Sequence, residues 1–569
     1  MLSDKRRIRD LVELCYAAGL REVVLSPGSR NAPLIISFTG HGGFRCHTAV
    51  DERSAAFMAL GMSQATRKPT ILCSTSGTAV LNYAPAIAEA YYQLIPLLVL
   101  TADRPPHLID IGDGQTLRQY DIYRNFIRLS LSLHPTDDPI EDNLRIASTA
   151  IRATTQPTPG PVHLNIPLDE PLYGQRDYAQ EPKPTLKTLL PHPPSLRSVL
   201  PDISTVPYRK IMMLWGSLPP DIPTTRAVDA YFKAAGTKTI MLSETTSNTF
   251  HPQIIPHIDR TLAVIPPDQR SQYAPELLIT FGHNIVSKHI KKFLRQNRPI
   301  EHWHVTDTQV YQDTFHTLSR TIPLPPEEFL SWFRSLRLEA DETYVRRWHE
   351  AAHLAAQRHE EFLAYAPFTD LTAYHEILEH LVEPTIVHMG NSTVVRYFQL
   401  YPPKPQHRYF ANRGVSGIDG CSSTAVGHAL VSGQPNILFT GDLAFGYDAN
   451  AFWLNHLPAN LRIVVFDNGG GSIFRFIEGP DTTPQYEPYF VTPHPGTVEG
   501  VVRRYHLPYF IADSEERLLP VLRAFLRERK PCPVLHVKTD GAKNMQVLRQ
   551  YFRYLQNPDP AVLQEIAMR

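Results

Sequence analysis

A regular alternation narrows the fold before any motif is considered. Short aliphatic runs, each closed by small or turn-forming residues, are followed again and again by amphipathic helical stretches. REVVLSP, TILCSTS and PLLVLTA set this rhythm near the N-terminus, and IMMLWGS, TIMLSET, LLITFG and HWHVTD continue it. TIVHMGN, NILFTGD and RIVVFDN repeat it toward the C-terminus. Runs this apolar fit parallel strands that crossover helices bury on both faces. A chain of 569 residues exceeds what one hydrophobic core supports. The expected class is therefore α/β, with three doubly wound, mainly parallel-sheet domains.

The rhythm breaks near Gly174 at GQRDYAQEPKPTLKTLLPHPPS, a proline-rich stretch suited to spanning between domains. This divides the chain into a first domain over 1–175, a linker over 176–200 and a middle domain over 201–325. A solvated helical linker over 326–366 then leads into a third domain over 367–569. The first and third domains are expected to repeat a topology rather than a sequence.

Lys plus Arg equal Asp plus Glu at 56 each, so no net charge draws the chain to nucleic acid or an anionic membrane. An anionic ligand must then meet locally placed cations. The opening MLSDKRRIRDLVELCYAAGL reads as an amphipathic helix rather than a signal peptide, and no apolar run approaches the length of a membrane span. Five cysteines without a CxxC pair argue for a reducing compartment, which implies a cytoplasmic protein.

Chemistry enters at NILFTGDLAFGYDANAFWLNHLPANLRIVVFDNGGGSIF, which reads as strand, helix, strand. Asp442 closes the first strand and Asn468 the second. A parallel crossover brings both strand ends to one edge of the sheet, where open α/β folds bind ligands. A carboxylate, an amide oxygen and a backbone carbonyl from the glycine turn are hard donors suited to Mg2+. Either turn alone is an ordinary strand end; together they resemble the metal motif of thiamine diphosphate enzymes. Upstream, NRGVSGIDGCSSTAVGHAL places a glycine-rich turn before a small-residue helix, whose free N–H groups are expected to cradle a phosphate.

The chain also carries LSPGSRNAPL, DERSAAFMALG, TSGTAVLNYAPAIAEAYYQLIPLLVLTADRPP, DGQTLRQ, GNSTVVR and NRGVSGIDG. With these motifs it resembles, over both outer regions and in the same order, the 2-succinyl-5-enolpyruvyl-6-hydroxy-3-cyclohexene-1-carboxylate synthases of menaquinone biosynthesis. The resemblance implies a pyrimidine-binding first domain and a diphosphate- and metal-binding third domain. It also implies a transferase that decarboxylates 2-oxoglutarate and adds the succinyl carbanion to isochorismate. Its cofactors would be thiamine diphosphate and Mg2+ or Mn2+. Its unit would be a homodimer, or a tetramer, in which the first domain of one subunit faces the third domain of its partner.

By motif position, Asp442, Asn468 and the carbonyl of Gly470 would hold the metal. Glu52 would be the catalytic glutamate bonded to the cofactor's pyrimidine. Gly77, Gly417, Ile418, Gly441 and Leu443 would complete the cofactor site, with Ile418 as the apolar wedge beneath the bent cofactor. The substrates carry three carboxylates, and the planar guanidinium suits bidentate carboxylate recognition. Ser29, Arg30, Arg104, Gln115, Ser392, Arg396 and Arg413 match the substrate motifs. Lys288 matches a basic pair more loosely. One departure is Gly114-Gln115, where the family often has Asn-Gln.

Two enzyme alternatives stand beside this reading. One is another thiamine diphosphate lyase, of the acetolactate synthase or 2-oxoacid decarboxylase kind. The other is a zinc protease, because WHEAAHLAAQRH contains His349-Glu350-Ala351-Ala352-His353. The extended zinc motif needs a glycine turn where this chain has Ala356. In a continuous helix His359 lies about 15 Å from His349 along the axis, so three-histidine coordination fails. A non-catalytic ligand-binding relic is disfavoured by the intact Glu52, Asp442 and Asn468.

Overall fold

The computed structural model describes residues 1–178, 182–185, 205–236, 238–308, 310–477, 479–494, 496 and 498–567. Apart from 176–178 and 182–185, the expected linker over 176–200 lies outside the described residues. The described residues form three six-stranded parallel sheets and two short two-stranded pairs. Every strand expected from the sequence forms.

In the first sheet the strands lie side by side as Arg45–Thr48, Glu22–Leu25, Thr70–Ser74, Leu97–Asp103, Pro161–Pro167 and Leu129–Ser132. In the third they run Arg408–Phe410, Ile386–Met389, Asn436–Gly441, Leu461–Asp467, Val534–Lys538 and Tyr509–Ala512. Counted along the chain, both follow the order 2-1-3-4-6-5, so the outer regions do repeat one topology. The middle sheet is different: Ile254–Ile255, Ile240–Ser243, Ile211–Trp215, Leu277–Phe281, Glu301–Val305 and Arg320–Ile322, in the order 3-2-1-4-5-6.

The strands that the sequence hid are short edges or carry buried polar groups. Arg45–Thr48 is RCHT, half exposed at an edge. Pro161–Pro167 is fully buried, yet His163 and Asn165 interrupt its apolar run. Both reach Thr101 on the neighbouring strand, at 2.7 Å to His163 Nε2 and 2.9 Å to Asn165 Oδ1. Buried polar side chains are tolerated where they satisfy one another in this way.

The single solvated helix expected over 326–366 is corrected to two packed helices. Pro326–Phe333 buries Phe329, Leu330 and Phe333 in the core of the middle sheet. Arg337–Leu338 then pairs with Thr205–Val206. Glu342–Leu363 buries Tyr344, Val345, Trp348, Ala351, Ala352, Ala355, His359 and Phe362, the spacing of one amphipathic face. That face joins a core that draws on both the middle and third regions.

The outer regions meet directly. Helix Glu52–Thr66 lies against helix Cys421–Ser432, and Ala55, Ala56 and Ala59 share a core with Ala425, Val426 and Ala429. The approach is so close that a Cβ on Gly61 would strike the Thr424 carbonyl and one on Gly427 the Met58 backbone. Among the described residues no helix is long and apolar enough to cross a membrane.

Candidate active site

In open parallel sheets ligands bind beyond the carboxyl ends of the strands, where the order reverses. In both outer sheets that point falls between the first and third strands along the chain. In the first sheet these strands feed SPGSRN and TSGT, and in the third they feed GNST and GDL.

Asp442 opens helix Asp442–Tyr447 directly after its strand. Its carboxylate accepts the N–H groups of Leu443 at 2.7 Å, Gly469 at 3.1 Å and Gly470 at 2.9 Å. Burial first, then the neighbouring Asp467 carboxylate, pushes its pKa up to about 6 despite these donors. His494 Nε2 lies 3.6 Å away and has no hydrogen-bond partner. Asn468 Nδ2 donates to Asp370 at 2.9 Å, and Ser472 Oγ donates to Asn468 Oδ1 at 2.7 Å. Gly470 sits at φ +131°, and a Cβ there would meet the Val491 carbonyl at 2.5 Å. A buried carboxylate short of a counter-charge, a fixed amide oxygen and a glycine-only carbonyl fit a hard divalent cation.

The turn carrying Gly417 and Ile418 is held from several sides. Its leading N–H groups, ahead of the helix that begins at Cys421, are taken by a carboxylate. Glu89, 2 % exposed on helix Ala84–Gln93, accepts Gly414 N at 2.5 Å, Val415 N at 2.6 Å and Ser416 N at 3.2 Å. Asn391 Nδ2 donates to the carbonyls of Asn412 at 2.8 Å and Gly417 at 2.6 Å. Arg413 Nη1 donates to Asn391 Oδ1 at 2.9 Å, and the Arg413 carbonyl accepts Asn284 Nδ2. First, middle and third regions therefore all grip this turn.

At the first sheet's carboxyl edge, Glu52 is the first residue of its helix and is half-buried. Asp51 caps that helix through Ser54 N at 3.2 Å and accepts Asn450 Nδ2 at 2.8 Å. Arg53 donates to the Tyr447 carbonyl at 2.8 Å and stacks 4.4 Å above the Tyr447 ring. The triplet around Glu52 thus docks against the end of the helix that Asp442 begins. Arg30 is buried, bonded to the Leu168 carbonyl at 2.8 Å and 3.3 Å from Glu170, while Ser29 is exposed. Gly77, at φ +84°, gives its N–H to Gln119 and lies beside Gln115. Arg104 leaves its Nε buried and unpaired.

The family models match this layout. The thiamine pyrophosphate enzyme N-terminal TPP-binding domain covers residues 8–122, and the middle domain of thiamine pyrophosphate enzymes covers 209–387. A Flavobacterium johnsoniae protein named 2-succinyl-5-enolpyruvyl-6-hydroxy-3-cyclohexene-1-carboxylate synthase is 37% identical over 96% of this chain and 98% of its own. The protein of that name from Cytophaga hutchinsonii is 37% identical over 96% of this chain and 99% of its own. The chain belongs to this synthase family. Its relative from Bacteroides thetaiotaomicron, 35% identical, spans 98% of this chain and all of its own.

The synthase fold brings Lys288 and Arg396 into one cavity of about 450 Å3, with Thr393, Ile473, Phe476 and Arg553 among its walls. Lys288 starts helix Lys288–Gln296, and Ser392, at φ +72°, precedes the turn that carries Arg396. Burial lowers the pKa of the Arg396 and Arg413 guanidinium groups, and the charge of Arg413 adds to the effect on Arg396. Among the described residues no ion pair within 4 Å involves either, although Asp259 lies near Arg396 and Glu244 and Glu89 lie near Arg413. None of the first-region candidates lines this cavity. His289, passed over in the sequence, lines it too and stacks on Phe552. Glu89 and Asn391 lie within quoted motifs but were given no role there, and Asp370 carried no motif signal.

The zinc-protease alternative finds no support in the geometry. His359 is buried, with Nδ1 2.7 Å from the Tyr551 hydroxyl, and His353 is exposed.

Proposed function

We propose that this synthase decarboxylates 2-oxoglutarate and adds the succinyl unit to isochorismate, using thiamine diphosphate with Mg2+ or Mn2+. The observation that carries the reading is the pair of like-ordered outer sheets. One presents Glu52 and the other presents Asp442, Asn468 and Gly470 at its carboxyl edge. When bound, the cofactor supplies an electron sink for decarboxylating a 2-oxo acid.

The chain's own residues supply binding, orientation and proton control. Asp442, Asn468 and the Gly470 carbonyl would hold the metal, with Gly441 and Leu443 beside them in the diphosphate site. Glu52 would hold a proton at the pyrimidine nitrogen, Gly77 would line the pyrimidine side, and Ile418 with Gly417 would pack against the cofactor. Lys288, Arg396 and Arg413, with Ser392, meet substrate carboxylates on the third-region side. Ser29, Arg30, Arg104 and Gln115 meet them on the first-region side. Ile473 and Phe476 exclude water from the acceptor ring.

The working unit is a homodimer in which Glu52 serves the cofactor bound by the partner. The cavity around Arg396, which holds third- and middle-region residues but no first-region candidate, supports this reading. The first domain over 1–175 then acts as the pyrimidine domain and the third over 367–569 as the diphosphate domain.

The cationic lining favours a dicarboxylate donor over pyruvate, which separates this reading from the lyase alternative. With cofactor and Mg2+ present, release of CO2 from 2-oxoglutarate should exceed release from pyruvate by at least about tenfold, the scale of one lost charge-assisted pairing. Equal release from both acids contradicts the assignment.

A further inference from the structure

We propose that Glu89 is a positioning residue of the synthase site, a built-in anion that fills the backbone N–H nest of the Arg413 turn and thereby holds Arg413 and Ile418 in place. The inference rests on the function proposed above, and it concerns a residue to which the motif reading assigned no role, although it lies within TSGTAVLNYAPAIAEAYYQLIPLLVLTADRPP.

Three consecutive N–H groups converging on one point form an anion-binding concavity, the kind that elsewhere takes a phosphate. Here Gly414, Val415 and Ser416 form it, with Ser416 in the left-handed region at φ +72°. The occupant is the Glu89 carboxylate, which also accepts Gln93 Nε2. A buried carboxylate without hydrogen bonds would be costly, and this one is saturated by donors. The nest saturates the Glu89 carboxylate with donors, and the nearby Arg413 guanidinium makes its hydrogen bond to Asn391 Oδ1 instead, with Glu244 a further anionic neighbour. Arg413 is thus left available to a substrate carboxylate.

The geometry leaves little slack. A Cβ on Gly414 would meet the Glu89 carbonyl at 2.5 Å, so the turn rests on the helix backbone itself. Asn391 and Asn284 fix the same turn from the third and middle regions. Glu89 is the contribution of the first region, and it lies on a helix packed beside the one that Glu52 begins. Placement of the third-region turn therefore depends on the first region of the same chain.

The test substitutes Glu89→Gln and Glu89→Asp in the full chain. Three quantities are measured: KM and kcat with 2-oxoglutarate and isochorismate, binding of thiamine diphosphate with Mg2+ by protein fluorescence, and the thermal midpoint. The Gln side chain turns an NH2 group toward donors. KM for at least one acid should rise about tenfold or more, with kcat changed less than KM, consistent with loss of charged hydrogen bonds. Glu89→Asp keeps the charge and should fall between Gln and wild type, and it decides the matter should Glu89→Gln fail to fold. A lower thermal midpoint with unchanged KM and cofactor affinity overturns the proposal, since that is what a purely structural role gives. Inactive wild type would instead refute the function itself. The cofactor titration would then judge Glu89, with unchanged affinity in both variants counting against it.

Discussion

Asp370 Oδ2 accepts the side-chain amide of Asn468 at 2.9 Å, and this bond decides which way round the Asn468 amide sits. Asp370 is held in turn by Thr539 Oγ1 at 2.6 Å, and its N–H donates to Asn544 Oδ1 at 2.9 Å. A carboxylate only accepts, so Nδ2 must point inward and Oδ1 outward toward Ser472.

Groups that orient metal ligands typically cost 10–100-fold in metal affinity when removed. Asp370→Ala is therefore expected to weaken Mg2+ by about that factor, read as the Mg2+ dependence of thiamine diphosphate binding. Unchanged Mg2+ affinity would show that Asn468 needs no such support or is not a ligand.

Glu52 gives a test of where the site is assembled. Glu52→Gln alone should keep cofactor binding and lose about 100-fold or more in rate, the usual scale of general acid–base catalysis. Asp442→Ala alone should lose cofactor binding. If Glu52 serves the partner's cofactor, mixed dimers of the two variants hold one intact site and regain activity. Hybrids as inactive as the parents would place Glu52 at its own subunit's cofactor.

The parts of this arrangement that the sequence made legible are those where local pattern and chemistry coincide. Asp442 and Asn468 each end an apolar strand, so their shared edge follows from a parallel crossover. The role of Glu89 could not be seen in that way. It is one acid on an apolar helix, and its partners lie more than 300 residues away in the chain. Nor could the sequence show that this carboxylate enters the turn at NRGVSGIDG, because only the tertiary fold brings it there. Helix Glu342–Leu363 looked solvated because Glu, Arg and His crowd its sequence, yet the core fills one continuous stripe of it. The middle sheet's different order was hidden because its short edge strands, Ile254–Ile255 and Arg320–Ile322, carry too few residues to show a period.

Buried titrating groups set the response to acid. Burial lowers His163 and His257 to about 3, and His302, His304 and His388 to about 4. These rings stay neutral in the fold but take up protons below about 6.5 when unfolded, so stability falls as pH drops from that value toward 4. Glu244 and Asp448, raised by burial to about 7, and Asp442, raised to about 6, act in the opposite direction, because the unfolded chain ionises them first. The five rings outnumber the three carboxyls. The thermal unfolding midpoint should accordingly decline between pH 6.5 and pH 4. A midpoint that rises over this window would contradict the burial assigned to these histidines.

The most direct measurement supplies the chain with thiamine diphosphate, Mg2+, 2-oxoglutarate and isochorismate, and follows isochorismate loss together with product mass. The prediction is that isochorismate disappears one-for-one with CO2 release, and that a single product gains the mass of 2-oxoglutarate less CO2. Isochorismate left untouched while pyruvate pairs are converted would contradict the account and favour a different thiamine diphosphate lyase.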